Sequence, residues 1–305
     1  VETFPLLAAL GASDPVQVEL KENAAQPLHL AFREKGANDP LVFFNAVHLL
    51  IKNGVSGKVV VTHESITDTP IFPNALICVT LEHGAKLELL EVQTHGNSVY
   101  HMSSVYVTQA GDSTLAYNLL NLGGQYGRHN FTSNLCEEKA AVNLRGLSVV
   151  DNDRMAEYRS DIKHTAPACT STQVYKGILT DAARGFFKGL ICVEKNAQET
   201  NAAQVNKNLL LSNDSVIHAN PHLEIYADDV KCSHGCSIGR LDDEQLFYLR
   251  ARGIPEENAK AILTYAFAQD VVQGMNLYGL DKLLENAMQD VNIKSRKVDG
   301  KDRQN

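Results

Sequence analysis

Two thiols and an imidazole alternate near residue 230, in the order Cys232, His234 and Cys236. In an extended strand alternate side chains point to the same face, so all three would share one side. Thiolate and imidazole ligands together favour soft or borderline metals, but a closed site needs a fourth ligand, for instance from another chain. Because this spacing is not an established metal motif, the simpler interpretation is structural, with partly buried thiols and a histidine hydrogen-bonded to the backbone.

The rest of the sequence lacks the common catalytic motifs. The run Gly123 to Arg128 has neither the lysine nor the spacing of a phosphate-binding loop, and the run His63 to Thr67 lacks the second histidine of a zinc-protease helix. The run Gly146 to Ser148 lacks the second glycine of a nucleophile elbow. The remaining histidines form no triad, so the sequence predicts a protein that is not an enzyme.

The residues from about Val16 to Ile225 form runs typical of short strands, such as Lys58 to Thr62. β-Branched residues are concentrated in the runs, and turn signals such as Asn53-Gly54 and His83-Gly84 separate them. No long amphipathic helix interrupts the region, which argues against a doubly wound sheet. A sandwich, a closed barrel and a β-solenoid remain, and the near-regular strand spacing favours the solenoid.

The composition narrows the class of partner. The chain has 305 residues, 44% of them hydrophobic, and a formal net charge of -8, which argues against nucleic acid as a partner. The longest apolar stretch, Leu41 to Ile51, is too short to span a membrane, and no signal peptide opens the chain. Since the first residue is Val1, we expect that a leader was removed or that a longer protein continues upstream.

The six cysteines are scattered, and no two of them form a CxxC pair. In a chain of this size they do not form a disulfide framework. We therefore expect free thiols in a reducing compartment, several of them buried as small apolar residues. This interpretation fits the first four best, which are Cys78, Cys136, Cys169 and Cys192.

Helices replace strands after Leu241. Asp242 and Gln245 resemble a capping box, Gly253 ends the first helix, and Pro255 opens a second. The predicted apolar stripe of the second helix is Ala259, Ile262, Leu263, Ala266, Phe267 and Val271. The stripe of a third helix is Leu280, Leu283, Leu284, Ala287, Met288 and Val291. We predict that these helices cap the open end of the solenoid and that they also offer a docking site for another subunit.

These patterns divide the chain into four parts. Residues 1–15 are a lead-in that we interpret as the remnant of a helical region, and residues 16–240 are the β-solenoid. Residues 241–293 are a helical docking domain, and residues 294–305 are a polar tail that we predict to be disordered.

Longer runs make the sequence recognisable. The stretch from Pro221 to Gly235, followed by Gly239 to Ile254, resembles the C-terminal signature of the SufB/SufD family. The similarity is strong from about Asp161 to Phe267 and looser before it. SufB-like chains carry a cysteine where Ile225 stands and a glutamate where Gly235 stands, so the chain is more similar to the SufD branch.

The resemblance implies a mainly β fold, a right-handed parallel β-helix with a C-terminal α-helical domain. It also implies a non-enzymatic subunit of an iron–sulfur cluster assembly complex with a SufB-type subunit and a SufC-type ATPase. His234 would lie at the heterodimer interface where the nascent cluster forms, so the resemblance favours a functional role for His234. Cys232 matches the family pattern, whereas Cys236 does not.

The resemblance also assigns two interaction surfaces. The candidate residues for docking the SufC-type ATPase are Leu246, Phe247, Tyr248, Arg250, Arg252, Gly253 and Ile254. The candidate residues for pairing with the SufB-type subunit are Pro221, Leu223, Glu224, Ile225, Lys231 and His234. Nucleotide-driven dimerisation of the ATPase would pull on the helices and open the heterodimer interface, so no ATP motif is needed in this chain.

Several alternatives stay open. A free-standing metal- or cluster-binding protein would use Cys232, His234 and Cys236 and hold stoichiometric metal, whereas the assembly subunit would bind no cofactor stably alone and hold a transient iron–sulfur cluster only at the interface. An enzyme on a β-helix would need a groove of charged residues or strict hexapeptide repeats, which the sequence lacks. An exposed strand edge also allows a homodimer. The expected location is the cytoplasm, or the plastid stroma in a photosynthetic eukaryote.

Overall fold

The computed structural model describes residues 3–275 and 282–287. Two parallel sheets of eight strands each form its body, and the chain alternates between them from one strand to the next. The odd sheet consists of β1 (Val16–Leu20), β3 (Leu41–Ile51), β5 (Ile71–Leu81), β7 (Tyr100–Gln109), β9 (Tyr126–Leu135), β11 (Met155–His164), β13 (Arg184–Val193) and β15 (Val216–Ile225). The even sheet consists of β2 (Leu28–Lys35), β4 (Ser56–Ile66), β6 (Lys86–Gln93), β8 (Thr114–Asn121), β10 (Ala141–Val150), β12 (Thr170–Leu179), β14 (Thr200–Leu210) and β16 (Val230–Gly239).

Each pair of consecutive strands forms one coil of a solenoid, and each strand pairs in parallel with its counterpart in the next coil. The length of a coil varies, because paired residues of successive coils are closer in sequence at Tyr100 and Tyr126 than at Arg184 and Val216. This variation explains why the sequence shows no strict repeat. The predicted mainly β fold, a parallel β-solenoid followed by C-terminal helices, is confirmed.

One corner of the solenoid is built in the same way in successive coils. Gly54 and Gly84 both have a φ of +68°, and Asp112 has a φ of +54°. Each donates its backbone N–H to the next coil, as Gly54 does to the carbonyl of His83 at 2.9 Å. The corresponding residues of later coils are Lys139, Ala168 and Glu199. The Asn-Gly and His-Gly turn signals therefore mark this corner, because glycine adopts positive φ without strain.

Inward side chains of both sheets fill the solenoid. Most are aliphatic, and buried examples are Leu49, Ile77, Leu115, Leu144 and Ile191. A column of rings runs among them, with neighbouring centroids 4.7–5.9 Å apart, from Phe32 through His63, His101, His129, Tyr158 and Tyr175 to Phe187. The interior is therefore apolar over most of its length but carries imidazoles in its middle coils.

Helices flank the solenoid: α1 (Thr3–Gly11), α2 (Asp243–Arg250) and α3 (Glu256–Val272). The helix α1 lies on β3 and β5 of the odd sheet, and α3 lies on the outer face of the even sheet, mainly over β10 and β12. The expectation that the C-terminal helices cap the end of the solenoid is therefore wrong for α3, which covers the side. An apolar cluster that includes Leu147, Ile178 and Val271 holds it there.

The buried face of α3 differs from the predicted stripe. Ala259 and Val271 are buried as predicted, but Ile262 and Ala266 are exposed. Thr264, Ala268 and Val272 are buried instead, because the face that meets the even sheet is rotated from the one that the apolar pattern marks. Residues 282–287 are helical, whereas Leu280, Met288, Val291 and the predicted tail lie outside the described residues.

All six cysteines are free. Cys169 is buried and Cys78 and Cys192 are half-buried, but Cys136 is exposed, so the expectation of burial is wrong for Cys136. No helix in the described part of the chain has the length and apolar character required of a transmembrane span.

Candidate functional site

The last coil leaves one edge of each sheet open. The strands β15 and β16 are the final strands of the odd and even sheets in the described residues, so each has a neighbour on one side only. Exposed apolar side chains surround this edge, including Tyr226 at 61% and Ile238 at 48% exposed. An edge with free backbone donors and acceptors is a template for pairing with another chain.

The three predicted ligand residues lie on β16, and their alternation on one face is confirmed by the strand. Cys232 is half-buried and packs against the interior core, and its register partner on β14 is Ala202. His234 is exposed opposite Gln204. The face that points into the solenoid in earlier coils is thus open to solvent at His234, because no further coil covers it.

Cys236 lies on the same face, and its Sγ is 3.7 Å from Oδ1 of Asn206. Burial raises the pKa of both Cys232 and Cys236, so both side chains are neutral thiols at pH 7. Four residues of a strand span ~13 Å, which prevents Cys232 and Cys236 from binding the same ion. A site on β16 would therefore combine His234 with one cysteine and with ligands from elsewhere.

The other residues predicted to pair with a SufB-type subunit lie on the same edge. Pro221, Leu223 and Glu224 are half-buried on β15, and Leu223 packs against the interior core. Ile225 is exposed at the end of β15, and Lys231 is exposed at the start of β16. The structure thus brings these residues together with His234 at the open end of the solenoid.

The residues predicted to dock an ATPase form a separate surface on and after α2. Asp242 caps this helix by accepting hydrogen bonds from the N–H groups of Glu244 (2.8 Å) and Gln245 (3.2 Å), as predicted. No residue of α2 is buried, and Phe247 and Tyr248 are 73% and 55% exposed. The exposed residues of the set are Phe247, Tyr248, Arg250, Arg252 and Gly253, and the half-buried ones are Leu246 and Ile254. Two exposed aromatic rings on a helix that buries nothing are typical of a docking surface.

A buried lysine fastens α3 to the even sheet. Lys176 on β12 donates to Oδ2 of Asp270 at 2.5 Å and to the carbonyl of Phe267 at 2.9 Å. Its ammonium also lies 4.5 Å from the centre of the Phe267 ring. The hydrogen bond from Lys176 lowers the pKa of Asp270, so the ion pair is complete at neutral pH. The helical surface is therefore joined to the sheet whose last strand carries His234.

Sequence reasoning missed a second concentration of ligand atoms. His63, Glu91 and His101 are fully buried inside the middle coils, and their donor atoms lie within 4.8 Å of one another. They are far apart in sequence, and the irregular coil length hides the register that brings them together. The pairing of Val61 with Glu91 sets His63 close to Glu91 on neighbouring strands, and no local pattern in the sequence indicates it.

Comparison with known proteins accounts for most of the chain. Residues 32–267 match the family model described as SUF system FeS cluster assembly, SufBD core domain. The chain is 33% identical over 233 residues to the iron–sulfur cluster assembly protein SufD of Escherichia coli, which covers 76% of this chain and 55% of that protein.

Two further relatives agree with this match. A SufBD family protein of Synechocystis is 27% identical over 94% of this chain and 66% of its own length. The chloroplastic protein ABCI7 of Arabidopsis thaliana is 32% identical over 66% of this chain and 42% of its own length. The chain thus spans 42–66% of the length of these relatives. It belongs to the SUF-system iron–sulfur cluster assembly family defined by the SufBD core domain, with SufD-like character.

Proposed function

We propose that this chain is a non-enzymatic scaffold subunit that builds iron–sulfur clusters together with a SufB-type subunit and a SufC-type ATPase. The observation that carries the proposal is the position of His234, an exposed imidazole on the last strand of the even sheet, whose outer edge has no neighbour among the described residues. The family to which the chain belongs assembles such clusters, and the cluster is the cargo of the complex rather than a resident cofactor. The isolated chain then holds no cluster stably.

The partner would extend the solenoid at its open end. The free edges of β15 and β16 each run for ten residues, and exposed apolar side chains lie beside them. A SufB-type subunit with a similar last coil can add strands to both edges and bury these side chains. Two copies of this chain can pair through the same edges when no partner is present, which gives a homodimer of lower specificity.

The ligand chemistry fits a cluster that is held only while it is being built. His234 supplies an imidazole nitrogen ligand at the interface, and Cys232 becomes a ligand once the incoming iron displaces the proton of its half-buried thiol into solvent. The partner would supply the remaining ligands. A set divided between two chains releases its cargo when the chains separate.

The ATPase would act on the cluster site through the even sheet. Its docking surface is α2 with Phe247 and Tyr248, and α3 is fastened to β12 through Lys176. The strand β12 is separated from β16 by β14 alone, a distance of ~10 Å. A pull on the helices would therefore act on β12, two strands away from His234 in the same sheet. By likeness to bacterial and chloroplastic relatives, the complex would work in the cytoplasm or the plastid stroma.

The proposal is tested by cluster reconstitution on the purified three-component complex with ATP, iron and a sulfur donor. His234→Ala lowers the initial rate of cluster formation roughly tenfold or more, as loss of a ligand does, without weakening the complex. The matched control is His29→Ala, an exposed histidine on β2 at the opposite edge of the same sheet, which leaves the rate unchanged.

Two results would reject the proposal. A wild-type rate in the His234→Ala complex removes the ligand role. If the chain associates with neither partner and instead holds stoichiometric metal that depends on Cys232 and His234, it is a free-standing metal-binding protein.

A further inference from the structure

A group of buried imidazoles and a carboxylate in the middle coils has no part in the proposed function. We propose that His63, Glu91 and His101 bind one divalent transition metal ion, zinc(II) or iron(II), inside the solenoid. The inference is independent of the roles of His234 and of both partner surfaces. It stands on the convergence of the ligand atoms, on their lack of other partners and on the groups behind them.

The ligand atoms converge from both sheets. His63 and Glu91 lie on β4 and β6 of the even sheet, and His101 lies on β7 of the odd sheet. Their donor atoms lie within 4.8 Å of one another, and Oε1 of Glu91 is 3.2 Å from Nε2 of His63. His129 on β9 extends the group, with its Nδ1 3.8 Å from the same Oε1. Ligands of one zinc ion lie roughly 3.3 Å apart, so a small contraction closes the site.

Apart from one another, these atoms lack the partners that buried polar atoms normally have. Oε1 of Glu91, Nε2 of His101 and both ring nitrogens of His63 and His129 are buried and make no hydrogen bond of normal geometry. Leaving such atoms unsatisfied inside a protein is unfavourable, so a concentration of them calls for a ligand. One metal ion would satisfy at least three of them at once.

The groups behind the ligands are those of a metal site. The hydroxyl of Tyr117 donates to Oε2 of Glu91 at 2.6 Å, which leaves Oε1 free for an ion. Nδ1 of His101 is 3.2 Å from Nε2 of His95, so its Nε2 is directed into the group. Hydrogen bonds of this kind orient the ligands of known sites. The structure therefore holds both the ligands and their supports.

The donor set selects the class of metal. Imidazole nitrogens with one carboxylate favour zinc(II) and iron(II), whereas magnesium and calcium prefer several oxygen ligands.

A surface cleft borders the group at His95. His95 lines a cleft of about 500 Å³ together with Thr94, Asn97 and Leu283. The ring of His95 is 4.9 Å from that of His101, centre to centre, so it stands between the cleft and the buried ligands. An ion that enters the cleft meets His95 first and then the site.

The test is metal loading of the full chain after chelation. The protein is incubated anaerobically with zinc(II), iron(II) or magnesium(II), desalted and analysed by mass spectrometry, and the zinc form is examined by X-ray absorption. We expect one zinc or iron per chain, no magnesium, and a metal shell of nitrogen and oxygen without sulfur. Glu91→Gln and His101→Gln weaken zinc binding roughly 100-fold, since loss of a group that only supports a ligand already costs roughly 10–100-fold.

Two control variants locate the ion. His164→Gln replaces another fully buried histidine outside the group, and Cys232→Ser with Cys236→Ser removes the thiols of β16. Both controls keep their zinc if the inference is right. Sulfur in the metal shell, loss of zinc from the serine variant, or no retained metal in the wild type would each overturn it. If Glu91→Gln and His101→Gln do not fold, as judged by circular dichroism, the wild-type metal content and shell decide alone.

Discussion

In the middle of the solenoid every strand has a neighbour on both sides, whereas β15 and β16 in the last coil each have one. Along β13, buried residues alternate with exposed or half-buried ones. Along β16, the residues from Ser233 to Gly239 are all exposed. The two regions share one backbone geometry. They differ only in what covers them, so the last coil carries an incomplete surface that a partner can complete.

The difference also separates two kinds of polar group. The middle coils enclose His63, Glu91 and His101, which water does not reach. The last coil exposes His234, which meets solvent until a partner arrives. By the two proposals, the interior would hold a resident ion and the last coil a passing cargo, with imidazole ligands in both places.

Truncating matched core residues is expected to give the largest effect. Ile191 and Leu223 are neighbours in the same inward row, one in β13 and one in β15. Ile191→Ala removes a fully buried side chain and costs about 4 kcal/mol of unfolding free energy, and Leu223→Ala at the open end costs about 1–2 kcal/mol. Urea unfolding measures both. Equal losses would mean that the last coil is as well packed as the others.

Acid is expected to give the second-largest effect, by destabilising the closed coils. Burial lowers the pKa of His164 from its ordinary 6.5 to about 4. The ring is neutral in the folded chain and protonates more readily in the unfolded one. The contribution of His164 to the free energy of unfolding is therefore complete above pH 6.5 and is lost as the pH falls to 4. The loss amounts to about 3 kcal/mol.

Urea unfolding across this pH range checks the assignment. His164→Gln makes the decline between pH 6.5 and 4 shallower by about 3 kcal/mol, because the variant lacks this ring. His218→Gln, which replaces an exposed ring in the last coil, leaves the decline as it is. If both variants decline like the wild type, the source of the acid sensitivity is not His164.

The docking surface on α2 gives an effect on binding without an effect on folding. Phe247→Ala weakens association with the ATPase by about 2 kcal/mol, roughly 30-fold in Kd, because an exposed aromatic anchor is lost. Gln245→Ala, at an exposed position on the same helix, is the control. Calorimetric titration measures both, and an unchanged Kd for Phe247→Ala would place the ATPase elsewhere.

A charge at the open edge gives the smallest effect. Ile238→Lys places an ammonium beside the edge of β16 and weakens pairing with the SufB-type subunit by about 1 kcal/mol, roughly fivefold. Ala31→Lys makes the same change at an exposed position of β2, the other edge of the even sheet, and should not alter the affinity. Light scattering of the mixed subunits over a concentration series compares the two variants.

The fold could be predicted from the sequence because its signals are local. The glycines at residues 54 and 84 mark a corner that needs positive φ, and Asp242 marks the start of α2. Later corners at Lys139 and Ala168 lack glycine and are held by hydrogen bonds to the next coil, which no local pattern indicates. The exposure of Ile262 on α3 was missed for a similar reason, since the sheet decides which face is buried.

The site could be predicted only in part. The position of Cys232 and His234 on one face follows from their spacing on one strand, and the resemblance to a family indicated their role as ligands. The meeting of His63 with His101 depends on the register between coils of unequal length. Such contacts between distant residues leave no trace in a single sequence.

Hydrogen exchange on the chain, alone and bound to a SufB-type subunit, tests most directly whether the last coil is the pairing surface. We predict that the amides of Val216–Ile225 and Val230–Gly239 that point away from β13 and β14 exchange rapidly in the free chain and become protected in the complex. The opposite edge strands, Val16–Leu20 and Leu28–Lys35, serve as the internal reference and should not change. Protection at that opposite edge, or none at β15 and β16 in a complex that has formed, would contradict the account.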